Sequence, residues 1–142
     1  MSGYLLDTNV VSENVKRNPS PAVVDFLAAS DDLWLSAIVV GELELGIQLL
    51  PEGQRSNELR SWLLMLLEEF GERVLPVRNE EAQWAATFQA RRHRTGGELA
   101  LADALIAGTA KANDLFVLTR NVRDFANLDL EVVNPWEPNG RG

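Results

Sequence analysis

The chain has 142 residues, 46% of them apolar, a size and composition that suit one domain with its own core and exclude a disordered chain. Its 13 basic residues stand against 21 acidic ones, a net charge of −8, so a broad positive surface for polyanions is excluded and only local means remain, a metal ion or a basic patch. There is no cysteine, which excludes disulfides, thiolate zinc sites and a cysteine nucleophile. No basic segment precedes a long apolar one at the N-terminus, and the longest apolar run, WLLMLL at 62–67, is too short to span a bilayer. A soluble, cytoplasmic protein without membrane association is expected.

In chain order, YLLD at 4–7 reads as a short buried strand. SPAVVDFLAAS follows as a helix, with Ser20 as cap and Pro21 in the first turn. LWLS at 33–36 is a second strand and AIVVGELELGIQLL a second helix. A third helix covers 54–70, and RVLPV at 73–77 is the third strand. Asn79 caps a helix running to Arg94, where Gly96 and Gly97 stop it. LALADALIAGTAKA is the last helix, LFVLT at 115–119 the fourth strand, and EVVN at 131–134 a fifth. Near-continuously apolar strands alternating with helices predict a parallel sheet covered on both faces. In such sheets sites form beyond the carboxyl ends of the strands, where Asp7 and Thr119 stand.

Most acids need no special account. Glu68, Glu69, Glu80, Glu81, Asp31 and Asp32 fall in polar stretches or first turns, where solvent or the helix dipole accommodates them. Glu42 differs. At roughly 100° per residue it falls between Leu49 and Gly46, bordered by Ile38, Val39 and Leu45, on a face expected to be buried. Glu44 lies on the polar strip with Gln48. Asp103 shares an arc with Leu99, Ile106, Ala107 and Ala110, away from Thr109 and Lys111. A carboxylate on an apolar face must be neutralised, paired or metal-bound, and neither helix offers a base on the same arc. Asp124, in the loop after the fourth strand, carries the weakest pattern and by itself reads as a turn or capping residue. Taken jointly, Asp7, Glu42, Asp103 and Asp124 are oxygen donors on the same side of the expected sheet, a set that suits a hard cation such as Mg²⁺ or Mn²⁺.

The blocks LLDTNVVSE, PSPAVVDFL, LWLSAIVVGELELGI, LADALIAGTA, LTRNVRDF and VVNPWE resemble, almost end to end, a PIN-domain ribonuclease of the VapC toxin family, in its FitB-like branch. The resemblance implies a PIN-like three-layer α/β/α sandwich with a central, mainly parallel sheet of four to five strands, forming one domain over 1–142. It implies a Mg²⁺-dependent endoribonuclease, with Mn²⁺ as a substitute, acting as the toxin of a type II toxin–antitoxin pair. The family's acidic tetrad maps onto Asp7, Glu42, Asp103 and Asp124, with Asp7 and Asp103 as principal metal ligands. Thr119 and Asn121 become orienting polar residues, and Asn9 supports the loop holding Asp7.

By the same resemblance, water activated by metal hydrolyses the phosphodiester to a 5′-phosphate and a 3′-hydroxyl. The partner expected is a VapB/FitA-like antitoxin with a basic C-terminal tail, homodimers and higher toxin–antitoxin assemblies forming and DNA being met only through the antitoxin. Arg91, Arg92, Arg94, Arg120 and Arg123 are the candidate RNA contacts, although a basic helix C-terminus favoured by the dipole explains Arg91 to Arg94 equally well. Trp34, Trp62 and Trp84 are expected in the core or at a dimer interface. An aspartyl phosphatase is disfavoured, because Asn9 stands where its second aspartate belongs, and a phosphoryl receiver lacks its acceptor aspartate and late lysine. The alternative is a catalytically silent PIN-fold module that acts only by binding its partner.

Overall fold

The computed structural model describes residues 3–137. Five short strands, β1 (Tyr4–Leu6), β2 (Leu33–Ser36), β3 (Val74–Leu75), β4 (Phe116–Leu118) and β5 (Val132–Val133), form one sheet in the order β3-β2-β1-β4-β5. Every pair is parallel, with Leu6 opposite Leu118 and Leu118 opposite Val133. Six helices complete the three layers: α1 (Thr8–Glu13), α2 (Pro21–Ala29), α3 (Ala37–Gln48), α4 (Gln54–Phe70), α5 (Asn79–Arg94) and α6 (Leu101–Ala112). Leu5, Leu35, Val117, Leu118, Val39, Phe88 and Ile106 are sealed from solvent, so the sheet is buried on both faces as its apolar strands require. No helix among the described residues is long and apolar enough to cross a membrane.

The chain order reverses at β1, which leaves β2 on one side and β4 on the other. A crevice opens beyond the carboxyl ends of strands at such a switch point. Asp7 and Thr119 follow directly on β1 and β4, and the Asp7 backbone N–H continues the ladder to the Leu118 carbonyl at 2.9 Å. The sheet itself thus aims both residues into the crevice.

Several elements differ from the sequence reading. The segment after Asp7 is a helix: α1 begins at Thr8, and the Asp7 carboxylate caps it by accepting the Thr8 N–H at 2.8 Å. The third strand shrinks from 73–77 to two residues: Arg73 is taken into the 3-10 turn 71–73, and Pro76, with no N–H to give, follows the last paired residue. Ser20 occupies the N-cap of α2, but its side chain makes no capping bond; its N–H goes to the Glu13 carboxylate instead. Asn79 is the first helical residue of α5, and the Glu81 carboxylate satisfies the Arg78 N–H at 2.9 Å. The stop is as expected, with Gly96 at φ 86 just past the helix. Trp34, Trp62 and Trp84 are half-buried against the core.

Two expectations about acids are corrected. The buried stripe of α3 is Val39, Leu43 and Ile47, while Leu45 and Leu49 are exposed, so Glu42 stands at the solvent edge of the crevice. Glu81, expected on a solvated face, is completely buried. Its carboxylate takes the Arg78 guanidinium at 2.8 Å and the Asn113 amide at 3.2 Å, tying α5 to α6. Thr109 lies in the core and donates to the Leu105 carbonyl, which resolves the cost of a hydroxyl on that face.

Candidate active site at the carboxyl ends of two central strands

Asp7 is the best-anchored member of the site. It is buried, and its Oδ2 accepts the Thr119 hydroxyl at 2.8 Å and the Asn9 amide at 3.2 Å, while Oδ1 takes the Thr8 N–H. Thr119 Oγ1 in turn accepts the Asn121 backbone N–H at 3.0 Å, which leaves its single proton for Asp7. Asn121 therefore acts through its main chain, and its side chain is exposed. Asn9 accepts the Arg120 N–H at 3.2 Å and so fastens the loop after β4 to the loop after β1. Thr8, which sequence reasoning left without a role, donates its hydroxyl to Glu42 Oε1 at 2.6 Å. The signal for it lay in DTN: a threonine in the first turn beside a capping aspartate.

Asp103 projects from the first turn of α6, and Asp124 from the 3-10 turn 122–125 after β4. All four acids share one electrostatic neighbourhood. Burial pushes the Asp103 carboxyl up to about 6, with the charges of Asp7, Asp124 and Glu42 adding to it and Arg92 opposing them. Burial also raises Asp7, opposed by the bonds from Thr119 and Thr8 and assisted by Glu42 and Asp124. None of the four forms a salt bridge among the described residues, whereas Glu44, the ordinary acid of α3, is paired with Arg60. Among the described residues no three acids or histidines stand close enough together to hold a metal ion as they are placed. The set nonetheless fits a hard cation in chemistry: every donor is an oxygen, and each charge raises the cost of ionising Asp103.

The arginines divide by role. Arg92 donates to the carbonyls of Asp124 and Ala126 at 3.0 and 3.2 Å, so it braces the Asp124 turn. Arg120 lies 4.9 Å over the Trp136 ring and Arg91 5.6 Å over Phe88. Arg94 and Arg123 are exposed.

A parallel sheet in the order 3-2-1-4-5, with an acid directly after its central strand and helices on both faces, defines a class of α/β proteins. Residues 4–130 match the PIN domain, and the chain belongs to that family. It is 41% identical over 135 residues to toxin FitB of Neisseria gonorrhoeae (strain ATCC 700825 / FA 1090), covering 93% of this chain and 97% of that one. It is 36% identical over 137 residues to VapC ribonuclease Y4jK of Sinorhizobium fredii (strain NBRC 101917 / NGR234), covering 94% and 98%. The solved structure of FitAB bound to an IR36 DNA fragment shares the fold with a TM-score of 0.89 at 38% identity, over 94% of this chain and 95% of that one.

Proposed function

We propose that this protein is a Mg²⁺-dependent endoribonuclease and the toxin of a toxin–antitoxin pair, held in check by a small FitA/VapB-like antitoxin with a basic tail. What supports this reading is that Asp7, Glu42 and Asp124 lie near enough to Asp103 for their charges to act on its carboxyl, with no salt bridge to any of the four among the described residues. The relatives called toxin FitB and VapC ribonuclease support it. Asp7 and Asp103 would hold the cation, with Glu42 and Asp124 completing its surroundings. The chemistry a divalent ion supplies when bound is polarisation of a phosphodiester and activation of water at neutral pH.

The protein's own residues set up that reaction. Thr119 fixes the Asp7 carboxylate in one orientation, and Asn9 locks the two loops that carry them. Thr8 restrains the solvent-facing Glu42. Water adds to phosphorus, the bond to the 3′ oxygen breaks, and the products are a 5′-phosphate and a 3′-hydroxyl. A pocket of four acids repels RNA until its charge is offset, so cleavage depends on the cation. An acidic protein of net charge −8 with such a pocket also suits a basic partner segment. The exposed Leu64 and Met65 on α4 are the natural contact of a homodimer.

The test is cleavage of single-stranded RNA with Mg²⁺, with Mn²⁺ and with EDTA, comparing the wild type with Asp7→Asn. Wild type should cut only with metal and the variant should lose at least about 100-fold, since losing a ligand costs no less than the roughly 10- to 100-fold typical of losing a ligand's outer support. Equal activity in the two preparations would end the nuclease reading and leave the silent binding module.

A further inference from the structure

Beside the acidic crevice lies a basin of opposite sign. The C-terminal turn of α5 and the turn carrying Asp124 enclose an open hollow lined by Arg91, Arg92, Arg94, Arg123, Thr95 and Asn127, with no acidic residue in its lining. In a chain with 13 bases against 21 acids, four arginines around one hollow are a strong local reversal of the global field. Arg92 is spent on the carbonyls of Asp124 and Ala126, and so forms a wall. Arg91, Arg94 and Arg123 make no salt bridge among the described residues, although acids are abundant elsewhere on this surface. Gathering like charges costs free energy unless a counter-charge arrives. The planar guanidinium forks suit phosphate oxygens, and Arg123 adjoins Asp124 in the chain, so the basin opens next to the acids.

We propose that this basin is a phosphate-binding subsite that grips the RNA backbone on the Asp124 side of the scissile bond. The subsite rests on the ribonuclease reading and deepens it, dividing the five arginines by task. Arg91, Arg94 and Arg123 bind phosphate, Arg92 positions the Asp124 turn, and Arg120, held over the Trp136 ring, lies outside the basin lining. Contact with backbone phosphates is independent of sequence, so the basin gives affinity and register while the choice of target lies elsewhere. It also explains how so acidic a protein holds a polyanion: attraction is confined to one rim, and the strand is led from it across the acids.

The experiment measures binding of a fluorescein-labelled 20-nucleotide single-stranded RNA to the full chain in EDTA, by anisotropy, at several salt concentrations. On a single strand each neutralised phosphate adds about 0.7 to the steepness of log affinity against log salt, so the double variant Arg94→Gln/Arg123→Gln should be shallower by about 1.4. Arg94→Lys/Arg123→Lys, which keeps the charge, should restore most of the slope. Asp124-dependent cleavage by wild type is read in parallel with Mg²⁺. Wild-type cleavage with an unchanged slope in the Gln variant overturns the subsite and leaves the nuclease reading intact. Absent cleavage with a reduced slope sinks the nuclease reading and keeps the basin as an RNA site. Displacement from the basin by an acidic peptide, with no slope change on RNA, would identify a protein segment as its occupant and overturn the proposal.

Discussion

Thr119 shows how much a single buried hydroxyl can control. Its one proton goes to Asp7, and its lone pairs receive the Asn121 N–H and the Asn9 amide. Thr119→Val keeps the shape but strands the Asn121 N–H and frees the Asp7 carboxylate to rotate. Cleavage should fall about 10- to 100-fold, as with other supports of metal ligands, while circular dichroism stays that of the wild type. Glu81 makes a separate, pH-dependent prediction. Its bond with Arg78 holds the carboxyl down at about 2, below the value of about 4.3 in an unfolded chain. The stability it contributes is therefore complete above about pH 4.3 and fades as pH falls toward 2. Glu81→Gln should be less stable than wild type at pH 6, and that gap should narrow by pH 2.5 in urea titrations. At this scale Asp7, Asp103 and Thr119 were legible in the sequence, because a carboxylate or hydroxyl at a strand end or on an apolar arc is conspicuous. Glu81 was not, since first-turn acids are usually solvated and its partners lie at Arg78 and, across a helix contact, at Asn113.

Helices carry the lesson on packing. Gly108 lies in α6 where a Cβ would press on the Glu81 carbonyl and come within 2.9 Å of the Ala85 nitrogen, both backbone atoms that cannot yield. Gly108→Ala should therefore destabilise by about 1–3 kcal/mol, as overpacking does, and overcome the helix-propensity gain of about 1 kcal/mol. Gly46→Ala in α3, with nothing within 4 Å, should show that gain instead; urea midpoints of the two variants distinguish them. The alternation of strands and long helices was readable from periodicity alone, and it gave the parallel sheet. Two features escaped it. Helix α1 is only six residues long and starts on Asp-Thr-Asn, a string equally suited to a turn. In α3 apolar residues occupy nearly the whole circumference, so the wheel could not tell the stripe Val39–Leu43–Ile47 from its exposed rival through Leu45 and Leu49.

Across the whole molecule, charge is unevenly distributed, and the acids near the ends of β1 and β4 oppose one another's ionisation. Asp103 has its carboxyl raised to about 6, so at pH 7 it is ionised against the preference of its surroundings. Asp103→Asn should melt at a higher temperature than wild type in EDTA at pH 7. Adding Mg²⁺ should raise the wild-type melting temperature and leave Asp103→Asn nearly unmoved, since a ligand stabilises only a fold that binds it. Differential scanning fluorimetry reads both. The sequence allowed that the strands before Asp7 and Asp124 could be neighbours, and the parallel pairing of β1 with β4 brings residue 7 beside residue 119. That same adjacency has a consequence during biosynthesis. The hydroxyl that orients Asp7 is supplied 112 positions later, at ribosomal speed roughly 6–22 s after Asp7 itself is polymerised. Asp7 therefore gains its orienting bond only when nearly the whole chain has been made and β4 has paired with β1.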